Sequence, residues 1–187
     1  MDIVNKNPQI YIIAGKARHG KNAVADIIKE HYQANGKKAI DIAYAYYIKQ
    51  YAQKVSDWDG NEDTKPRSLL QAIGTDIIRK QIDYDFFANR MLQDITIYSY
   101  FVDAIIISDA RYPDEIDTPK GAHPTAISIH VEKPDVVSDL STTQQQHLSE
   151  TGLDNYASYD YSIINDGDLN MLKEKVIKII KEVTNGY

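Results

Sequence analysis

Residues 10–22, IYIIAGKARHGKN, constrain the fold more than any other stretch of the chain. A short β-branched apolar run ends at Gly15, and an amphipathic helical pattern begins at Lys21. Between them, Gly15-Lys16-Ala17-Arg18-His19-Gly20-Lys21 carries the G-x-x-x-x-G-K spacing of a phosphate-binding loop. The spacing has a physical purpose. Glycines let successive backbone N–H groups converge on one anion, the helix turns its positive end towards it, and the lysine reaches the terminal phosphates. Such a loop sits at the carboxyl end of a buried strand, so the chain is expected to be α/β, built around a mostly parallel sheet. Where a hydroxyl usually holds Mg²⁺ stands Asn22, followed by Ala23. Gly15, Lys16, Ala17, Arg18, His19, Gly20, Lys21, Asn22 and Ala23 are the candidate nucleotide-binding residues. The side-chain oxygen of Asn22 is a candidate Mg²⁺ ligand.

The rest of the pattern fits that frame. Val24, Ile27, Ile28 and Tyr32 keep a helical period until Asn35-Gly36 stops it. Strands are expected at 10–14, 39–43, 104–108, 125–131 and 161–164, and helices at 21–34, 44–55, 67–81, 85–98 and 169–183. Residues 56–66 read as a surface loop, and 132–158 as a long polar stretch. Strands alternating with helices predict one domain over 1–187, its sheet covered on both faces.

Composition narrows the partners. A net charge of −6 argues against a nucleic acid polymer or an anionic membrane, though not against a small anion held by a local cluster of donors. The absence of cysteine excludes disulfides and thiolate metal sites and suits a reducing cytoplasm. No apolar run approaches membrane-spanning length, and residues 1–9 lack a signal-peptide core. The five histidines show no zinc-ligand spacing.

A second constellation is ISDARYPDE, 107–115. Asp109 lies just past the strongest apolar run, where an acid reaches the Mg²⁺ shell of a bound nucleotide, and Arg111 can aim at a transferring phosphoryl group. The competing possibility is an Asp109 that caps the turn at Tyr112-Pro113 with Arg111 as its ion-pair partner. Tyr44, Tyr46 and Tyr47 suit either base stacking or packing.

With these pieces in order, the chain resembles the phage-type deoxynucleoside monophosphate kinases of the P-loop nucleoside monophosphate kinase superfamily. The resemblance rests on the glycine loop with Val24-Ala25-Asp26, on Leu69-Leu70-Gln71-Ala72-Ile73-Gly74-Thr75-Asp76 with Arg79, and on Asp109-Ala110-Arg111 with Tyr112-Pro113-Asp114-Glu115. It continues through His147-Leu148-Ser149-Glu150 and Ile164-Asn165-Asp166-Gly167. Three departures stand out: Asn22-Ala23 after the loop lysine, Tyr47 where relatives carry proline before a lysine such as Lys49, and Phe86-Phe87 where they often carry tryptophan.

The resemblance implies a P-loop kinase three-layer sandwich with a five-stranded parallel core, ATP as donor and a (deoxy)nucleoside monophosphate as acceptor. It also implies a lid at roughly 132–158. On that basis Lys21, Arg79, Arg111 and Asp109 are the catalytic candidates, with Mg²⁺ held by Asp109 and Asn22. Tyr44, Lys49, Arg67, Gln71, Asp76 and Arg79 are the acceptor-binding candidates. Arg67, Arg79 and Arg111 would form the phosphate clamp, since guanidinium forks match phosphate oxygens. The expected lid contains no arginine. Two alternatives remain open: a P-loop kinase for another small metabolite such as dephospho-coenzyme A, and a catalytically weak nucleotide-binding protein. Monomer and homodimer are equally open.

Overall fold

In the computed structural model, which describes residues 3–134, 136 and 140–185, the apolar runs become strands, the central ones buried on both faces and the two edge ones partly exposed. These are β1 (Gln9–Ala14), β2 (Ala39–Ile42), β3 (Ala104–Ala110), β4 (Ile127–Glu132) and β5 (Tyr161–Ile164), joined in the order β2-β3-β1-β4-β5. Every pairing is parallel. Alternation along β1 splits the core in two. Tyr11 and Ile13 face α1 (Lys21–Ala34) and α8 (Leu169–Asn185), where Val24, Ile28, Val176 and Ile180 meet them. The Tyr11 hydroxyl, buried there, is satisfied by that of Tyr32 at 3.0 Å.

On the other face, Ile10, Ile12 and Ala14 pack against a second layer. It contains α2 (Ala45–Val55), α3 (Arg67–Gln71), a π-helical stretch Ala72–Ile82, α4 (Phe86–Tyr98) and α5 (Pro113–Ala122). The result is a three-layer α/β sandwich. Because β1 lies between β3 and β4, the chain reverses its winding there, and the carboxyl ends of these three strands frame one crevice.

The structure departs from expectation in three places. The segment after Tyr112 is a helix, α5, rather than a turn: Pro113 occupies a first-turn position that needs no N–H donor, with Asp114 and Glu115 beside it. Helix 67–81 divides, its second part widening into the π-helical stretch. The polar stretch 132–158 contains two short helices, α6 (Thr142–Gln145) and α7 (Leu148–Thr151). Positions 135 and 137–139 of that stretch lie outside the described residues. Among the described residues no helix is long and apolar enough to cross a membrane.

Candidate active site

The glycine loop joins β1 to α1 as its spacing requires. Gly15 (φ +145°) passes so close to β4 that a methyl group would run into the Val131 carbonyl oxygen. At Gly20 (φ +100°) a Cβ would lie 2.5 Å from Nδ2 of Asn165, which donates to the His19 carbonyl at 3.1 Å. The loop is thus clasped between the end of β4 and the turn after β5. Arg18, exposed at the loop's tip, also has positive φ (+64°). The His19 ring rests against the Val131 carbonyl and the Lys133 amide, each 3.3 Å from Nδ1. No side chain caps α1, so the amides of its first turn keep the orientation that suits an anion.

Lys21 opens α1 and folds back into the loop, its Nζ donating to the carbonyls of Gly15 (2.8 Å) and Lys16 (2.9 Å). Burial, and next the nearby Arg111 charge, pull its pKa down to about 8; Asp109 and Glu150 oppose them. At neutral pH it therefore remains a cation whose carbonyl partners phosphate oxygens can replace.

Arg111 faces it from the end of β3. Its Nη1 donates to the Ser149 carbonyl at 3.2 Å and to the Glu150 carboxylate. Lys16 pairs with Asp154 at 2.9 Å. Gly15, Lys16, Arg111, Glu150 and Asp154 border a hollow of about 40 Å³, closed from above by α7 and the residues after it.

Other expected site residues stand elsewhere. Asp109 caps neither the turn at Tyr112-Pro113 nor Arg111: its two carboxylate oxygens accept the Tyr44 and Ala45 amides at 2.8 and 2.9 Å, at the start of α2. Tyr44 does not present a ring to a base. It is buried in the core, and its hydroxyl donates to the Glu115 carbonyl at 2.7 Å. Arg79 is not in the hollow. Its guanidinium is buried, bonding Asp114 (2.8 Å), Glu115 (2.5 Å) and the Tyr84 carbonyl (3.0 Å), with the Tyr112 ring centroid 4.0 Å away. Asn22 is exposed at the head of α1, and Ala23 packs partly against the core. Lys49, on α2, pairs with Glu62 at 2.5 Å, and Arg67 opens α3. Gln71 reaches Ser149 Oγ at 3.5 Å, while Asp76 bonds Lys80 at 2.7 Å and lies 4.0 Å from His147 Nε2.

The hub that sequence patterns missed is Glu115. Fully buried, it accepts the Arg111 backbone N–H at 2.7 Å as well as Arg79. Burial pushes its carboxyl up to about 7, against the pull of Arg79. Its membership of the ISDARYPDE run was the only signal. His130, stacked on Tyr159 at 4.8 Å along the hollow's rim, carried none.

Comparison with known proteins agrees with this geometry. The family model described as deoxynucleotide monophosphate kinase matches residues 34–176, a span that begins after the glycine loop. No curated protein sequence matches the chain. Among solved structures, shikimate kinase from Bacteroides thetaiotaomicron is similar with a TM-score of 0.55 at 14% identity, covering 94% of this chain and 98% of that one. The APS kinase CysC of Mycobacterium tuberculosis in complex with AMPPNP and APS gives 0.54 at 10% identity, covering 93% and 98%. Dephospho-CoA kinase from Campylobacter jejuni gives 0.50 at 14% identity, covering 95% and 98%. At these identities the structural likeness establishes the fold alone.

Proposed function

The chain belongs to the deoxynucleotide monophosphate kinase family, and from that premise we propose that ATP lies in the glycine loop and gives its γ-phosphate to a (deoxy)nucleoside monophosphate held against Arg111. One observation carries the placement. Lys21 Nζ bonds the carbonyls of Gly15 and Lys16, two residues that border the hollow, and Arg111 borders the same hollow from the end of β3.

The chemistry asks little more of the protein. A phosphate monoester has its second pKa near about 6, so the attacking oxygen is already anionic and no general base is needed. What remains is to align two polyanions and neutralise the charge between them. Lys21 exchanges its loop carbonyls for phosphate oxygens. Arg111 offers guanidinium N–H groups to the transferring phosphoryl. Asp109 fixes the start of α2, and Arg79 with Glu115 holds the Arg111 backbone from beneath. Lys49, Arg67, Gln71 and Asp76 supply the acceptor side from α2, α3 and the π-helical stretch.

The residues present fit Mg²⁺. Among the described residues no three His, Asp or Glu side chains gather into a cage, but Mg²⁺ keeps several waters and leans on substrate phosphates. Asp109, whose oxygens each retain a lone pair beyond one amide bond, and the exposed Asn22 oxygen would hold it. When bound there, Mg²⁺ would supply positive charge against that of the phosphates. The hollow is too small for a nucleotide, so part of 132–158 acts as a lid and lifts to admit one. All of this belongs to a single domain over 1–187, acting on nucleotides in the cytoplasm.

The test is steady-state ATP consumption with a panel of deoxynucleoside and nucleoside monophosphates, with dephospho-coenzyme A as a hydroxyl acceptor. Formation of a nucleoside diphosphate is expected with at least one monophosphate. Turnover of dephospho-coenzyme A alone, or ATP binding without any turnover at saturating Mg²⁺, would replace the proposal with one of its two alternatives.

A further inference from the structure

Resting on the kinase placement of Arg111, we propose that Glu150 is a positioning residue that aims the Arg111 guanidinium into the phosphate hollow. Arginine ends a long, rotatable side chain, and a useful clamp needs that chain held in one orientation. The backbone of Arg111 is already pinned by its N–H bond to Glu115. Its side chain is held at one nitrogen: Nη1 meets both the Ser149 carbonyl and the Glu150 carboxylate. A guanidinium carries five N–H donors, so gripping Nη1 from α7 leaves the Nε and Nη2 donors for phosphate. The contact is one-pronged. A carboxylate standing in for substrate would instead engage the fork through two nitrogens.

With the hollow closed, the piece that carries Glu150 is closely packed. Gly152 packs so tightly that a Cβ would lie 2.8 Å from the Arg111 carbonyl oxygen and 2.9 Å from that of Leu148. His147 caps α7, with Nδ1 accepting the Ser149 amide at 3.2 Å, and Tyr156 anchors the following residues to Asp117 at 2.6 Å. The Glu150 side chain is only 12% exposed and that of Arg111 29%, so the pair is weakly screened. The arginine-free lid thus contributes to the site through an acid.

The experiment compares wild type, Glu150→Ala, Glu150→Gln, Arg111→Ala and the double variant Arg111→Ala/Glu150→Ala, with Tyr156→Phe as the variant that loosens the segment while keeping the Glu150 carboxylate. Glu150→Ala is expected to lower kcat by about tenfold or more, the scale on which misaligned catalytic groups act. In the Arg111→Ala background the same change should alter kcat by less than about twofold, since Glu150 acts only through Arg111. Glu150→Gln, which keeps an accepting oxygen, should recover most of the rate, and Tyr156→Phe should lower it less than Glu150→Ala does. The Arg111 Nη1–H resonance, assigned by its loss in Arg111→Ala, should exchange faster with water in Glu150→Ala. Independent, additive losses in kcat, an unchanged Nη1–H exchange rate, or tighter ATP binding by Glu150→Ala would each overturn the proposal. A wild type with no turnover defeats the kinase placement instead, and the Nη1–H exchange rates still decide whether Glu150 holds Arg111.

Discussion

Arg79→Ala should destabilise the fold rather than selectively slow the chemistry. The Arg79 side chain is 2% exposed, and its partners Asp114 and Glu115 are 11% and 4% exposed. Removing the guanidinium leaves two carboxylates buried without their countercharge, a change that costs about 3–5 kcal/mol. For a domain of this size, that corresponds to a fall in Tm of roughly 6–20 °C. The pH dependence sharpens the expectation. Burial holds Glu115 at about 7, above its usual 4.5, so its share of stability is full below pH 4.5 and is lost as pH rises through 7. Without Arg79 only the Arg111 backbone N–H is left to oppose burial, and the folded value climbs further. At pH 5.5 Glu115 is largely protonated in both proteins; at pH 8 it ionises readily only in wild type. The difference in stability should therefore be larger at pH 8 than at pH 5.5. Urea unfolding followed by fluorescence of Trp58, the only tryptophan and one buried in the same apolar cluster, measures it directly. A difference below about 1 kcal/mol at both pH values, combined with lost turnover, would refute this reasoning and return Arg79 to the phosphate clamp.

Lys21→Ala should lower ATP affinity and turnover by orders of magnitude without lowering the urea midpoint, because burial makes the charged lysine a cost to the unliganded fold. For the same reason, calorimetric ATP affinity of wild type should weaken as pH rises above about 8 and Lys21 loses its proton. Gly15→Ala should abolish ATP binding and lower Tm, since its Cβ meets the Val131 carbonyl and its φ is +145°. Gly121→Ala, whose Cβ meets nothing within 4 Å, should leave ATP affinity intact, and an equal loss in both would sink the steric account. Asn22→Thr should lower the Mg²⁺ concentration needed for half-maximal activity, because a hydroxyl is a more compact oxygen ligand than an amide; an unchanged Mg²⁺ titration would exclude Asn22 from the metal shell.

Legibility in the sequence followed the range over which each feature is determined. β1 and β3 were readable because strands covered on both faces become continuous apolar runs, as Ile10–Ile13 and Ile105–Ile107 do. The glycine loop was readable because the strand, the loop and the helix that make it work are contiguous. α5 was not: Pro113 and Pro119 break the usual helical pattern, and only the position of Pro113 in the first turn makes it compatible. The π-helical stretch leaves no distinct period over so short a span. Within the site, residue types were better indicators than partners. Asp109 lies within the last residues of β3 rather than just past it, because the strand runs two residues further than its apolar run, and its partners are the Tyr44 and Ala45 amides, 65 and 64 positions away in sequence. An arginine beside a motif looks alike whether it meets phosphate or a buried acid. Arg79 meets the acid.

The quoted motifs are individually weak yet jointly informative because they bind one another. Thr75 Oγ1 lies 2.7 Å from the Tyr112 hydroxyl, Arg79 joins Glu115, Gln71 reaches Ser149, and Arg111 meets Glu150. Gly74-Thr75-Asp76, the DARYPDE run and His147-Leu148-Ser149-Glu150 are therefore surfaces of one junction. Changing any one residue leaves a partner unsatisfied in a part-buried place, which couples the identities of all three segments. Asn22 is differently placed. It lies exposed on the first turn of α1, outside that junction, and under the proposed function the loop's grip on phosphate rests on backbone amides and Lys21. A change there leaves the scaffold that holds Arg111 undisturbed. The chain can thus lack the loop hydroxyl while keeping the rest of the kinase architecture intact.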